Sequence, residues 1–320
     1  MRRYRTYALG AAVLSLLLLA SACSKKSSSG GGGTTGGGAT LASTFVFGAP
    51  PDCATNKYCA IGLKNLYGIV FKQIKTTDFG GPITVHALKA GTIQVGELFS
   101  TSIYDPDFVA LEDDKHLENA DNIVPVMSTS KSHNAAAVDA INKVSAALTT
   151  DQMLALNKQV DIGQQDPADV AKSFLQDQGL LGSPSNTCGG DDITVGVSSS
   201  GFSESPIVAE MYGQILSNIG CNVSYQLDLA DRKVSDAALF SGKIDLKPEY
   251  LASEATSLDA NAKVSGDSAN NAKILASILG PKGVTVLNYA PAIDTNVFVV
   301  TKETADKYGL SKVSDLAKPA

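Results

Sequence analysis

Residues 242–253 read Gly-Lys-Ile-Asp-Leu-Lys-Pro-Glu-Tyr-Leu-Ala-Ser. Ile244 to Leu246 has the apolar character of a short buried strand. Pro248 has no N–H to give to a ladder, so the chain is expected to leave the sheet there. Tyr250 and Ser253 then stand just past the carboxyl end of a strand, where ligand clefts open in α/β sheets. That makes both candidates for ligand contact, against the plainer alternative of a surface-loop tyrosine.

Catalytic chemistry has less support. No nucleophile–base set, metal set or phosphate loop is visible. Ser198-Ser199-Ser200-Gly201 lacks the Gly-x-Ser-x-Gly frame of a nucleophile elbow. Gly30 to Gly33 follows no strand and reads as a tether. His86, His116 and His133 lie far apart, without metal-ligand spacing among themselves or the cysteines. Adjacent residues on a strand point to opposite faces, so Glu112-Asp113-Asp114 is expected to be a solvated turn and no metal cluster. Asp191-Asp192 reads as linker charge. The expectation is a protein that is no enzyme and needs no metal or cofactor.

The elements that must hold these residues follow from the pattern. The 320 residues allow two lobes, and 44% hydrophobic content indicates a folded chain. The net charge is −6, and no basic patch argues for nucleic acid. There is no tryptophan, so an aromatic site must use Tyr or Phe. Short apolar runs at 45–47, 70–74, 93–98, 108–111 and 123–126 predict strands. Val138, Ile141, Val144 and Leu148 then recur at helical spacing, and Leu154, Leu156, Val170, Phe174 and Leu175 continue the helical run. After a Gly/Ser/Pro linker at 182–190 the strand–helix alternation restarts. Strands are expected at 193–197, 223–227, 284–287 and 297–300, with helices at 206–218 and 272–279. The alternation predicts α/β with mostly parallel sheets.

Residues 1–22 combine Arg2, Arg3 and Arg5 with an apolar core, the pattern of a secretory signal. Ala20-Ser21-Ala22-Cys23 resembles a bacterial lipobox, with Ala20 in place of the usual leucine. Cys23 is thus expected to be lipidated; ordinary cleavage after Ala22 is the alternative. Residues 23–43 should be a flexible Ser/Gly tether. The mature chain is placed outside the cytoplasmic membrane, lipid-anchored. There thiols tend to pair. Cys53 and Cys59 are expected to close a small loop, and Cys188 and Cys221 lie at the beginnings of two strands that a bridge can join if they are parallel neighbours.

Two halves of the chain resemble the substrate-binding protein of glycine betaine/choline (quaternary ammonium) ABC importers. Residues 193–318 are similar to its first half through Ile193-Thr194-Val195-Gly196, Phe202-Ser203-Glu204-Ser205, Pro248-Glu249-Tyr250, Ala290-Pro291-Ala292 and Asp294-Thr295. Residues 44–180 resemble its second half through Phe47-Gly48-Ala49-Pro50-Pro51, Tyr67-Gly68, Leu111-Glu112-Asp113-Asp114-Lys115-His116 and Asn122-Ile123-Val124-Pro125-Val126. The reversed order implies a circular permutation, with 181–192 joining the original termini; domain ends often lie close enough to allow it. A tandem duplication that lost its outer halves, or a swapped dimer, would give the same order.

The resemblance implies a two-lobed periplasmic-binding-protein-like fold of type II. Residues 44–103 with 291–320 would form lobe B, and 104–290 lobe A. A quaternary ammonium has no N–H, so aromatic faces must hold it, and lobe closure would remove water. By resemblance Tyr250, Tyr67 and Phe99 are cage walls. The fourth aromatic position falls at Asn296, with Tyr104 or Tyr289 as substitutes. Ser253 matches a threonine that binds the ligand's polar end. Two basic positions of betaine binders fall at Ser200 and Asn56, which predicts choline or another polar solute over glycine betaine. The implied partners are the small-molecule ligand and an ABC permease. A sensing or structural envelope protein, or a binder of a different solute, is the alternative.

Overall fold

The computed structural model describes residues 39–78, 80–198 and 203–320. The signal segment, Cys23, most of the tether and Ser200 lie outside the described residues.

The chain lays down β1 (Val46–Ala49), β2 (Gln73–Thr76), β3 (Val95–Phe99) and β4 (Phe108–Ala110), then crosses to a second sheet. There it forms β5 (Ile123–Ser128), β6 (Asp192–Ser198), β7 (Asn222–Leu229), β8 (Leu246–Tyr250) and β9 (Val284–Val286). It returns to the first sheet as β10 (Asn296–Thr301). The strand orders are β2-β1-β3-β10-β4 and β7-β6-β8-β5-β9. In each sheet one strand, β10 or β5, runs against the others. These two mixed sheets with flanking helices are a two-lobed α/β fold of the type II periplasmic-binding-protein kind. The sheets put the crossings at 111–122 and 287–295, because β4 hydrogen-bonds to β10 in the sheet of the chain ends.

Helices flank the second sheet in sequence: α1 (Ala135–Ala147), α2 (Thr150–Asp161), α3 (Pro167–Asp177), α4 (Glu204–Asn218), α5 (Arg232–Phe240), α6 (Leu251–Leu258) and α7 (Ser268–Leu279). Local chemistry sets their starts. Asn134, Thr149, Asp166, Asp231 and Asp267 each accept a backbone N–H of the first turn. The apolar faces of α1 to α4 close one core, with Ile141, Val144, Leu175, Ile207 and Met211 buried. Phe47, Phe298, Leu63 and Leu316 belong to a separate core under the first sheet. Disulfides join Cys53 to Cys59 and Cys188 to Cys221.

Two local expectations are corrected. The strand read at 70–74 begins later, at Gln73, and Val70 is exposed. Pro248 does not end its strand: β8 runs through it to Tyr250. Pro248 stands opposite Pro125 of β5, a rung at which neither strand has an N–H to donate. On its other side β8 pairs with β6 only at Leu246, so no ladder bond is lost there. The run at 112–114 does not converge. Glu112 pairs with Lys312, Asp113 accepts from Tyr67 and the Glu118 N–H, and Asp114 accepts the Ser314 N–H.

Candidate ligand-binding site

A cavity of about 490 Å3 lies where the two sheets face each other. The size suits a small solute. β8 delivers Tyr250 to it and α6, starting at the next residue, delivers Ser253. Phe99 ends β3 and Asn296, its ladder partner, begins β10, so both arrive from the first sheet. Asn56 reaches the cavity from the loop closed by the Cys53–Cys59 bridge. The same loop contributes Tyr58, which sequence reasoning did not single out. Its ring carries the Lys57 ammonium 4.7 Å from the centroid.

Tyr67 is not among the lining residues. It is 4% exposed and packs in the core under the first sheet. Its hydroxyl donates to Asp113 Oδ1 at 2.5 Å and accepts the Lys115 N–H at 2.7 Å, which holds the ring inward. Tyr289 packs against the core of α6 and α7, and Tyr104 lines a different cavity.

The charged groups lining the cavity among the described residues are four carboxyls, Glu118, Asp121, Glu249 and Asp294, and one cation, Arg232. Arg232 is already committed. Its Nε and Nη2 each lie 3.0 Å from Glu249 Oε2, and Glu249 also takes the Lys247 ammonium at 2.8 Å. Burial alone would raise the Glu249 acid, but Lys247 and Arg232 hold it below the usual range. Asp121 fills the N-terminus of α6. It accepts from the Ala252 N–H at 2.7 Å, the Ser253 N–H at 3.0 Å and the Ser253 hydroxyl at 2.5 Å. A helix N-terminus is where an anionic ligand group would dock; here the protein's own carboxylate occupies it.

The remaining acids are held high. Burial first, then the charges of Glu97, Asp113 and Asp121, push Glu118 up to about 9. Burial and then Glu204 push Asp294 well above the carboxylate range. Burial also raises Asp121, against the hydrogen bonds of Ser253. Tyr250 donates its hydroxyl to Glu204 Oε1 at 2.6 Å, and Thr101 donates to Asp294 at 2.8 Å. Glu204 is raised by burial despite the Tyr250 and Asn157 bonds. An electron-rich aromatic wall with carboxyls awaiting a counter-charge can take a cation.

Asp294 and Glu204 lay inside motifs read from the sequence without being chosen. Asp121 carried no signal, since its role comes from a helix start more than a hundred residues away.

The fold and cavity define a solute-binding protein of the kind that feeds membrane transporters. The chain belongs to the family described as the substrate binding domain of ABC-type glycine betaine transport systems, which matches residues 40–177 and 191–320. Members of this family are receptors for transported solutes, not enzymes, and work outside the cytoplasmic membrane with an ABC permease. Among the described residues no helix is long and apolar enough to cross a membrane. Solved structures with a similar chain course include the L-cystine solute receptor of Neisseria gonorrhoeae, at 13% identity and TM-score 0.42 over 86% of this chain and 85% of that one. A phosphate-binding protein of Streptococcus pneumoniae is 14% identical with TM-score 0.41, over 86% and 94%. Substrate binding domain 2 of GlnP from Lactococcus lactis is 10% identical with TM-score 0.38, over 88% and 90%.

Proposed function

We propose that this protein captures a quaternary ammonium compound with an uncharged polar end, of the choline type, between its lobes and delivers it to the permease. The observation that carries this reading is the cavity's charge. Aromatic residues Tyr58, Phe99 and Tyr250 stand beside carboxyls, Arg232 is neutralised by Glu249, and Asp121 blocks the helix N-terminus. A trimethylammonium group takes ring faces, and its charge would draw the raised carboxyls beside them toward their ionised form. The carboxylate of glycine betaine would find the Ser253 hydroxyl already donating to Asp121 and Arg232 already paired with Glu249. Ser253, Asn296 and Asn56 line the polar side of the site in this reading; Tyr67 supports the fold instead. Calorimetric titration with choline, glycine betaine and carnitine tests it, since a native-state ligand also raises the melting temperature.

The reading includes an N-terminal signal, lipidation at Cys23 and a tether, which together hold the lobes at the membrane. It also includes a circular permutation. Two facts favour it: the family match comes in two segments that leave 178–190 outside, and the chain's end lies against residues 39–41. The Ala320 N–H bonds to the Ala39 carbonyl at 2.8 Å and the Leu41 N–H to Lys318 at 2.9 Å. Residues 181–192 would then be the joint between the original termini. Lobes of 44–103 with 291–320, and of 104–290, are the proposed division, except that β4 at 108–110 pairs with β10 and so moves to the first.

A further inference from the structure

A second cavity, of about 940 Å3, adjoins the first. Phe99 lines both. The Tyr250–Glu204 hydrogen bond completes the partition, with Tyr250 on the smaller cavity and Glu204 on the larger. The larger space is framed by the segment after β3, by the end of α2 and by the start of α4.

Asn157, on α2, gives this wall its chemistry. It is 4% exposed. Its Nδ2 donates to the Thr101 carbonyl at 3.1 Å and to Glu204 Oε2 at 2.9 Å. Both partners are acceptors, so the amide's orientation is fixed. Its Oδ1 is buried with no hydrogen-bond partner among the described residues. A buried acceptor left open is unfavourable, and a donor from a ligand would satisfy it. Around it stand Glu204 and Asp161, the latter accepting the Tyr104 hydroxyl. Lys89 is paired with Asp105, while His86 and Lys158 are exposed. Phe99, Phe108 and Val160 offer apolar walls. Gln164, also lining, holds φ at 56°, a left-handed conformation uncommon for a side-chain-bearing residue.

We propose that this cavity is a second binding site, for a small primary organic ammonium ion. Such an ion carries N–H donors for Asn157 Oδ1, a positive charge for Glu204 and Asp161, and an alkyl stem for the apolar walls. A quaternary ammonium has no N–H and cannot answer Asn157. The two cavities would thus select different cations on opposite sides of one carboxylate–tyrosine wall.

The test is calorimetric titration of the whole mature chain with 1,4-diaminobutane, whether or not choline binds. Saturable binding is expected. Asn157→Leu should weaken it about tenfold or more, with a cooperative melt as the check on folding. Asp161→Ala removes an exposed carboxylate together with the hydrogen bond it accepts from Tyr104, should weaken diamine binding several-fold and should leave any choline affinity unchanged. Tetramethylammonium should not displace the diamine. The proposal is overturned if the wild type gives no saturable heat at millimolar diamine. It is equally overturned if Asp161→Ala leaves diamine affinity intact, or if tetramethylammonium competes fully, which would put the diamine in the smaller cavity.

Discussion

Ser253 donates its hydroxyl and its N–H to Asp121, which also takes the Ala252 N–H, so one carboxylate satisfies the first turn of α6. The protein's own carboxyl therefore occupies the helix N-terminus where a ligand's carboxylate would otherwise seat. Removing it should change selectivity more than it changes fold. Asp121→Ala is expected to raise glycine betaine affinity relative to choline by about tenfold. The lost cap should cost about 1 kcal/mol of stability. Paired titrations and a thermal melt check both; an equal loss for the two ligands would count against the idea.

Tyr250 and Tyr67 separate by role. Tyr250→Ala should weaken choline binding about tenfold or more, the scale of a desolvated cation–ring contact. Tyr67→Phe removes only the hydroxyl that bonds Asp113 and Lys115. It should leave affinity nearly unchanged and lower the melting temperature by a few degrees. A loss of affinity in Tyr67→Phe with an unchanged melt would reverse the assignment.

The pH dependence follows from Glu118, whose acid is pushed up to about 9 by burial and neighbouring carboxylates. Its ordinary value is 4.5, so between 4.5 and about 9 the unfolded chain gives up a proton that the folded chain keeps. Stability is thus full below the lower value and falls as pH rises through that window. A bound cation favours the ionised form, so affinity should move the other way and rise from pH 6 toward 9, with protons released on binding. Glu118→Gln should flatten both slopes. Titrations in buffers of different ionisation enthalpy count the protons.

The Cys53–Cys59 bridge closes the loop that carries Asn56 and Tyr58 into the cavity. Replacing both cysteines by serine should weaken choline binding about threefold or more, through lost ordering of that wall. The same change at Cys188 and Cys221, remote from the lining residues, should affect melting temperature and leave affinity alone. Equal effects on affinity would contradict the first role.

Much of this was legible in the sequence because its causes are local. Helix starts at Asn134, Thr149 and Asp231 follow from side chains that reach only three residues ahead. The apolar spacing of Val138, Ile141 and Val144 foretold a helix, and its buried face is the observed one. Pro248 misled because a proline ends a strand only if its missing N–H is needed, and the rung opposite Pro125 needs none. Tyr67, a cage wall by resemblance, packs in the core under the first sheet, and the bond to Asp113 that turns it inward spans 46 residues. Asp121 and Glu204 act through partners on distant elements. Such pairings are set by tertiary packing and leave no short-range mark.

The most direct test is a calorimetric comparison of choline with glycine betaine on the unlipidated chain near neutral pH. Tighter binding of choline, lost in Tyr250→Ala, is the predicted result. Tighter binding of glycine betaine by the wild-type protein would contradict the account, because the Ser253 hydroxyl and the Arg232 guanidinium that would receive its carboxylate are held by Asp121 and Glu249.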